Sequence, residues 1–112
     1  MKEFQHVTRE TRRVAMLNPL GHNTANVYVT AEDEPCCIFG HVLKRLNLSG
    51  LINVGRFNNY TFADLPWQLW GFKPPTDAER MWTIRVQSAA DSGRLWCMSI
   101  LSGDMPAFYG VA

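Results

Sequence analysis

The chain has 112 residues, three cysteines and a formal net charge of +1. A hydrophobic fraction of 46% with 19% charged residues is typical of a folded globular protein, and this length suits one domain with one core. The near-neutral charge excludes a strong general attraction to nucleic acid or anionic lipid. Because no apolar run could span a bilayer and no signal-peptide pattern is visible, we expect a cytoplasmic protein with reduced thiols.

The N-terminal half predicts a helix, a β-hairpin and a second helix. Residues 3–17 place apolar side chains at helical spacing, and Pro19 follows where that pattern ends. The β-branched and aromatic run 26–30 predicts a strand. A partner strand after the next, acidic turn would complete a small hairpin over 26–36. The second helix is predicted over 36–47.

The C-terminal half predicts three further helical segments. A short helix is expected at 62–70, although Pro66 lies in its interior and is alternatively the first residue of a helix that starts later. Thr76 and Glu79 have the spacing of a capping box, in which each side chain binds a free amide at a helix start. That helix should run to Ala90, and a last helical segment is predicted over 94–102.

The predicted fold is mostly α (α+β), with four to five short helices and one small β-hairpin in a single domain over residues 1–112. Residues 104–112 are expected to form a flexible C-terminal tail. Large apolar side chains on the inward faces of these elements should form one core. The predicted core residues are Phe4, Val7, Val14, Val27, Val29, Cys37, Leu43, Leu46, Leu65, Leu69, Trp82, Val86 and Trp96.

Three motifs follow one another in a fixed order. They are the strand Val27-Tyr28-Val29, then Cys37, Gly40 and Leu43 on one helix, and finally Trp82, Val86, Gln87, Asp91, Gly93 and Trp96. In order and spacing they resemble a family of small uncharacterised proteins from actinobacteriophages and actinobacterial prophages. Residues 57–72 have no clear counterpart in that family. The resemblance implies a phage accessory gene whose product acts in the host bacterial cell, and it implies no mechanism.

Cys37 lies near the start of a predicted helix, where the helix dipole stabilises a thiolate. A cysteine hydrolase also needs a histidine to accept the proton and a third group to orient it. His41 lies on the same helix and His22 precedes the cysteine, so neither fits that geometry. The favoured interpretation is a structural cysteine packed beside Gly40, and a Cys37-dependent enzyme is the alternative.

Zinc binding is a further alternative, with Cys37 and His41 one helical turn apart and Cys97 and His22 as additional ligands. Structural zinc sites normally have two pairs of closely spaced ligands, and this chain offers one such pair. We therefore expect neither a metal nor a cofactor.

Arg9, Arg12 and Arg13 gather on one side of the first predicted helix. A basic helix face can bind nucleic acid, but no recognition motif accompanies this one. Because the overall charge is near neutral, a solvated face is the favoured interpretation. A small nucleic-acid-binding protein that uses this face is the alternative.

The segment 65–72 concentrates large apolar side chains, with Trp67, Trp70 and Phe72 beside two leucines. A short helix turns only one face inward, so at least one of the two tryptophans should stay partly exposed. Exposed aromatic side chains mark partner surfaces and often anchor them. These three aromatics are therefore predicted to form an interaction surface.

Taken together, the sequence favours a non-enzymatic phage accessory protein that binds another protein. The expected partner is encoded by the host or the phage, and a second copy of this chain is also a candidate. A membrane partner is not expected, and nucleic acid is disfavoured. The family resemblance, the lack of a catalytic set and the aromatic surplus support this hypothesis.

Overall fold

A computed structural model describes residues 1–105, and helices dominate them. The helices are α1 (Gln5–Leu17), α2 (Ile38–Arg45), α3 (Ser49–Gly55), α4 (Asp77–Asp91) and α5 (Trp96–Asp104), with a 3₁₀ helix at Phe62–Asp64. They form one compact globule, so the mostly helical prediction is confirmed. None of the helices in this part of the chain is long and apolar enough to cross a membrane.

Helices α4 and α5 form an antiparallel pair that packs against α1. The indole of Trp82 on α4 donates a hydrogen bond to Asp104 at the far end of α5 (2.8 Å). Helix α1 also packs against α2. At the N-terminus, Lys2 pairs with both neighbours of Phe72 through backbone hydrogen bonds of 2.8 and 2.9 Å, which fixes the aromatic segment to the start of the chain.

The start of α4 confirms the predicted capping box. The Glu79 amide donates to the Thr76 hydroxyl (3.2 Å), and the Thr76 amide donates to the Glu79 carboxylate (2.9 Å). The helix predicted at 62–70 is wrong beyond its first turn. Leu65, which precedes a proline, has an extended backbone (φ −63°, ψ 155°), and a residue before proline disfavours the helical conformation.

The predicted β-hairpin over 26–36 is also wrong, since residues 1–105 contain no strand or sheet there or elsewhere. Val29 and Pro35 form an isolated antiparallel bridge. Around this bridge, backbone amides bind a side chain and not a neighbouring strand. The side-chain oxygen of Asn58 accepts the amides of Tyr28 (2.9 Å) and Val29 (3.2 Å). The bridge keeps two flanking hydrogen bonds, from the Thr30 amide to the Glu34 carbonyl and from the Cys36 amide to the Tyr28 carbonyl (both 2.9 Å). The Tyr28 amide, which would extend the ladder, is bound to Asn58 instead.

Most predicted core residues are buried, with three exceptions. Leu69 is 81% exposed, and Val27 and Leu46 are half-buried. Tyr28, assigned to a strand but not to the core, is buried at 2% exposure. Most of the predicted tail over 104–112 lies outside the described residues, and α5 continues through its first position, Asp104.

Candidate functional site

Two of the three aromatics predicted to form an interaction surface lie in the core. Trp67 and Phe72 are 2% and 4% exposed, and the Trp67 indole donates a hydrogen bond to the Phe62 carbonyl oxygen (2.9 Å). The turn through this segment leaves Leu69 outside instead. Trp70 is half-buried, so it is the one member of the three that reaches the surface. These residues do not form a shared exposed face.

Arg12 belongs to the contact between α1 and α5. Its guanidinium donates two hydrogen bonds to the Asp104 carboxylate, of 2.7 and 2.8 Å, and lies 5.0 Å from the centre of the Trp82 ring. The carboxylate raises the pKa of Arg12, and the guanidinium lowers that of Asp104. A bidentate pair of this kind fixes orientation as well as charge. Arg12 therefore helps to hold the helices together.

Arg13 is also paired, whereas Arg9 is not. Glu10 accepts from Arg13 (3.2 Å) and from Arg45 on α2 (2.7 Å). Arg9 is exposed and makes no ion pair with the residues between 1 and 105. Of the three arginines in the predicted basic face, only Arg9 therefore has a charge that no carboxylate within residues 1–105 pairs with.

Cys37 is a buried helix cap. It lies at the N-cap of α2, is 4% exposed, and its sulfur accepts the amide of Gly40 (3.3 Å). Burial is the main reason that the pKa of this thiol rises to about 12. A protonated, enclosed thiol is a poor nucleophile at neutral pH. Gly40 allows a close approach of the backbone at residue 28, because a Cβ there would overlap the Tyr28 carbonyl.

The histidines and cysteines considered for zinc do not assemble. His41 packs edge-on against the Trp96 ring, with 5.1 Å between the ring centres. Burial, and then the charge of Lys44, lowers the pKa of His41. Among residues 1–105, no group of three or more metal-ligating side chains could hold an ion.

The motif residues meet in a hydrogen-bonded junction around Asn23, which the sequence analysis missed. Its side-chain oxygen accepts the amide of Ile38 (3.1 Å) and the indole of Trp96 (2.9 Å). Its side-chain nitrogen donates to Asp91 (2.8 Å). This one amide therefore ties the starts of α2 and α5 to the end of α4. These motif residues therefore hold the helices of the fold together.

An apolar cleft opens between the end of α1, the following loop and α2. It has a volume of about 550 Å³ and is lined by Leu17 to His22, His41 and Trp96. Leu17 and Leu20 at its rim are 61% and 72% exposed, whereas Trp96 beneath is 4% exposed. The loop is held in place because the amides of Trp96 and Cys97 donate to the carbonyls of Gly21 and Pro19 (2.8 and 3.1 Å).

The outer face of α5 adds a row of apolar side chains, which we call the α5 stripe. It consists of Met98, Leu101 and Met105, which follow one another at helical spacing. Each is 41–46% exposed. The stripe begins one residue after Cys97, at the point where the loop of the cleft is attached. Unbranched methionines adapt to irregular partner surfaces.

Comparison of the chain with protein-family models, with curated proteins and with solved structures finds no match. A function is therefore inferred from the physical properties of the apolar cleft and the α5 stripe.

Proposed function

We propose that this protein is a non-enzymatic phage accessory protein that binds a host protein through the apolar cleft and the α5 stripe. The observation that carries the proposal is the position of Leu17 and Leu20, whose exposed side chains border a cleft with an indole at its base. A partner side chain that enters such a cleft removes apolar surface on both sides from water.

The expected partner segment is an amphipathic helix with acidic side chains beside its apolar face. The apolar part would cover Leu20 and the α5 stripe. Helix α1, which ends at Leu17, carries Arg9, Arg12 and Arg13, of which Arg9 has no counter-charge within residues 1–105. Acidic residues on the partner would complement this charge and speed the encounter. In this proposal the predicted basic face attracts the partner by its charge.

Several observations argue against the two alternative functions. A Cys37-dependent enzyme would have to expose and deprotonate a buried thiol that caps a helix. Binding of nucleic acid through the arginine face would compete with the Arg12–Asp104 pair and with the Arg13–Glu10 pair. A protein partner needs neither change, which is why it is the proposed function.

The proposal is tested by parallel capture from lysate of the host bacterium with three tagged proteins. These are the unchanged chain, Leu17→Glu/Leu20→Glu, and Val54→Glu, which alters a side chain on α3 that is 84% exposed. We expect a protein that the unchanged chain and the Val54 variant retain and the double variant loses. Identical captures by all three would contradict the proposal, and so would loss of the protein by the Val54 variant.

A further inference from the structure

A second cleft, on the other side of α4 from α5, is lined mostly by residues with polar side chains. It has a volume of about 330 Å³, at the lower end of the range for small-molecule sites. One wall is α4 and the other is the loop that follows α3. We call it the polar cleft, and its lining residues are Asn26, Asn58, Asn59, Tyr60, Thr61, Ile84, Gln87, Ser88 and Asp91.

Hydrogen bonds hold one side chain on each wall of the polar cleft, Asn58 and Gln87, in place before any ligand binds. Besides accepting two amides, Asn58 donates to the Val29 carbonyl (3.0 Å) and to Asn53 (3.1 Å). Gln87 on α4 accepts the amide of Phe62 (3.0 Å) and donates to the Tyr28 hydroxyl (3.0 Å). That hydroxyl in turn donates to the loop carbonyl of residue 60. Preformed walls reduce the entropy lost on binding.

Five polar groups at this cleft have no protein partner within residues 1–105. They are the side-chain amides of Asn26 and Asn59, the hydroxyls of Tyr60 and Ser88, and the second carboxylate oxygen of Asp91. An amide and a hydroxyl can each donate and accept. A ligand that matches them must therefore carry several groups that also donate and accept, which is the property of neighbouring hydroxyls on a sugar ring.

The charge and the exposed aromatic ring narrow the ligand class further. Asp91 is the one charged residue that lines the cleft, so phosphates and carboxylates would be repelled. Tyr60 is 49% exposed, and its ring is held edge-on by Phe57 with 5.1 Å between ring centres. An aromatic ring offers an apolar face to the C–H groups of a sugar, while its hydroxyl remains free to bond.

From this geometry we propose that the polar cleft binds a neutral sugar through neighbouring hydroxyl groups, with Asn26, Asn59, Ser88 and Asp91 as hydrogen-bonding residues and Tyr60 as the stacking surface. The sugar belongs either to a glycan or to the ribose of a nucleoside. The site is separate from the apolar cleft, so the two can be tested independently.

The test is a nuclear magnetic resonance titration of the ¹⁵N-labelled chain with glucose, galactose, ribose and adenosine, each in turn. We expect at least one free sugar to shift the side-chain amide signals of Asn26 and Asn59 saturably. Glucose or galactose alone would identify a glycan, whereas ribose together with adenosine would identify a nucleoside. Adenosine without any free sugar would mean recognition of the base and would overturn the proposal, as would the absence of any localised shift.

Three variants complete the titration. Asn26→Ala and Tyr60→Ala should each weaken binding of the active sugar about tenfold, since each removes one contact with the sugar. Asp91→Asn should weaken binding less than Asn26→Ala does, because an amide can also bond a hydroxyl. Loss of binding in Asp91→Asn with retention in Asn26→Ala would identify a cation site instead and would contradict the proposal. Glu34→Gln, an exposed carboxylate outside the cleft, is the control.

Discussion

Gly21 and Trp96 pack backbone against ring, and this contact forms the base of the apolar cleft. The Trp96 amide donates to the Gly21 carbonyl (2.8 Å), and a Cβ on Gly21 would overlap the indole ring itself. The ring cannot move freely aside, because its nitrogen is bound to Asn23 and His41 packs on its edge. The shape of the cleft therefore depends on a residue without a side chain.

Gly21→Ala should lower the free energy of unfolding by about 1–3 kcal/mol, the usual cost of overpacking a filled site. Chemical denaturation measures this change, with tryptophan fluorescence as the signal. Gly50→Ala is the matched control, since a Cβ at Gly50 meets nothing within 4 Å, and alanine favours a helix over glycine by up to about 1 kcal/mol. Equal effects at the two positions would show that the Gly21 contact does not exist.

Replacement of Cys37 distinguishes a helix cap from a reactive thiol. Cys37→Ala should destabilise the fold by about 1–2 kcal/mol, because the Gly40 amide loses its acceptor in a buried site. Cys37→Ser should stay within about 1 kcal/mol of the unchanged chain, since serine is a favoured N-cap residue. Thermal melts of the two variants measure the difference.

The same interpretation predicts the order of thiol alkylation. Iodoacetamide at pH 7 should modify Cys97, which is half-buried, before Cys37. Mass spectrometry of the digested protein resolves the two sites. Faster modification of Cys37 would support the enzyme alternative and contradict its role as a buried cap.

Thr76→Ala should cost about 1 kcal/mol of stability, because it removes the hydroxyl that accepts the Glu79 amide at the start of α4. Thr76→Ser is the matched control and should keep most of the cap. A thermal melt compares the three proteins. If alanine and serine gave the same melting temperature as threonine, the cap would contribute nothing to the fold.

Asp104 should make stability depend on acid pH. The neighbouring Arg12 guanidinium, and then the Trp82 indole, hold its pKa below the ordinary value of 3.8. Below that value the unfolded chain binds more protons than the folded one, so stability falls as the pH falls through this window. Asp104→Asn should cost on the order of 1 kcal/mol at pH 7 and flatten the pH dependence below pH 4. A pH dependence unchanged by the substitution would contradict this role.

The elements that the sequence predicted well depend on neighbours in the chain. The capping box of α4 needs two residues three positions apart, and the Pro19 stop of α1 needs one. The hairpin failed because its amides bind Asn58, about thirty residues away along the chain. The role of Asn23 could not be predicted from the sequence for a similar reason, since its three hydrogen-bond partners come from separate helices. Helical spacing also gave the wrong exposure for Trp67 and Leu69. Residues 67–70 form a turn, and this turn buries Trp67 and exposes Leu69.

Crosslinking from Leu20 tests the proposed function most directly. A photoreactive amino acid, p-benzoylphenylalanine, is placed at Leu20, at Met98 or, as the control, at Val54, and each protein is expressed in the host and irradiated. We predict one host protein attached through positions 20 and 98 and absent at position 54. Adducts of equal strength at all three positions, no adduct at position 20, or an adduct the size of a second copy of this chain would contradict binding of a host protein at the apolar cleft.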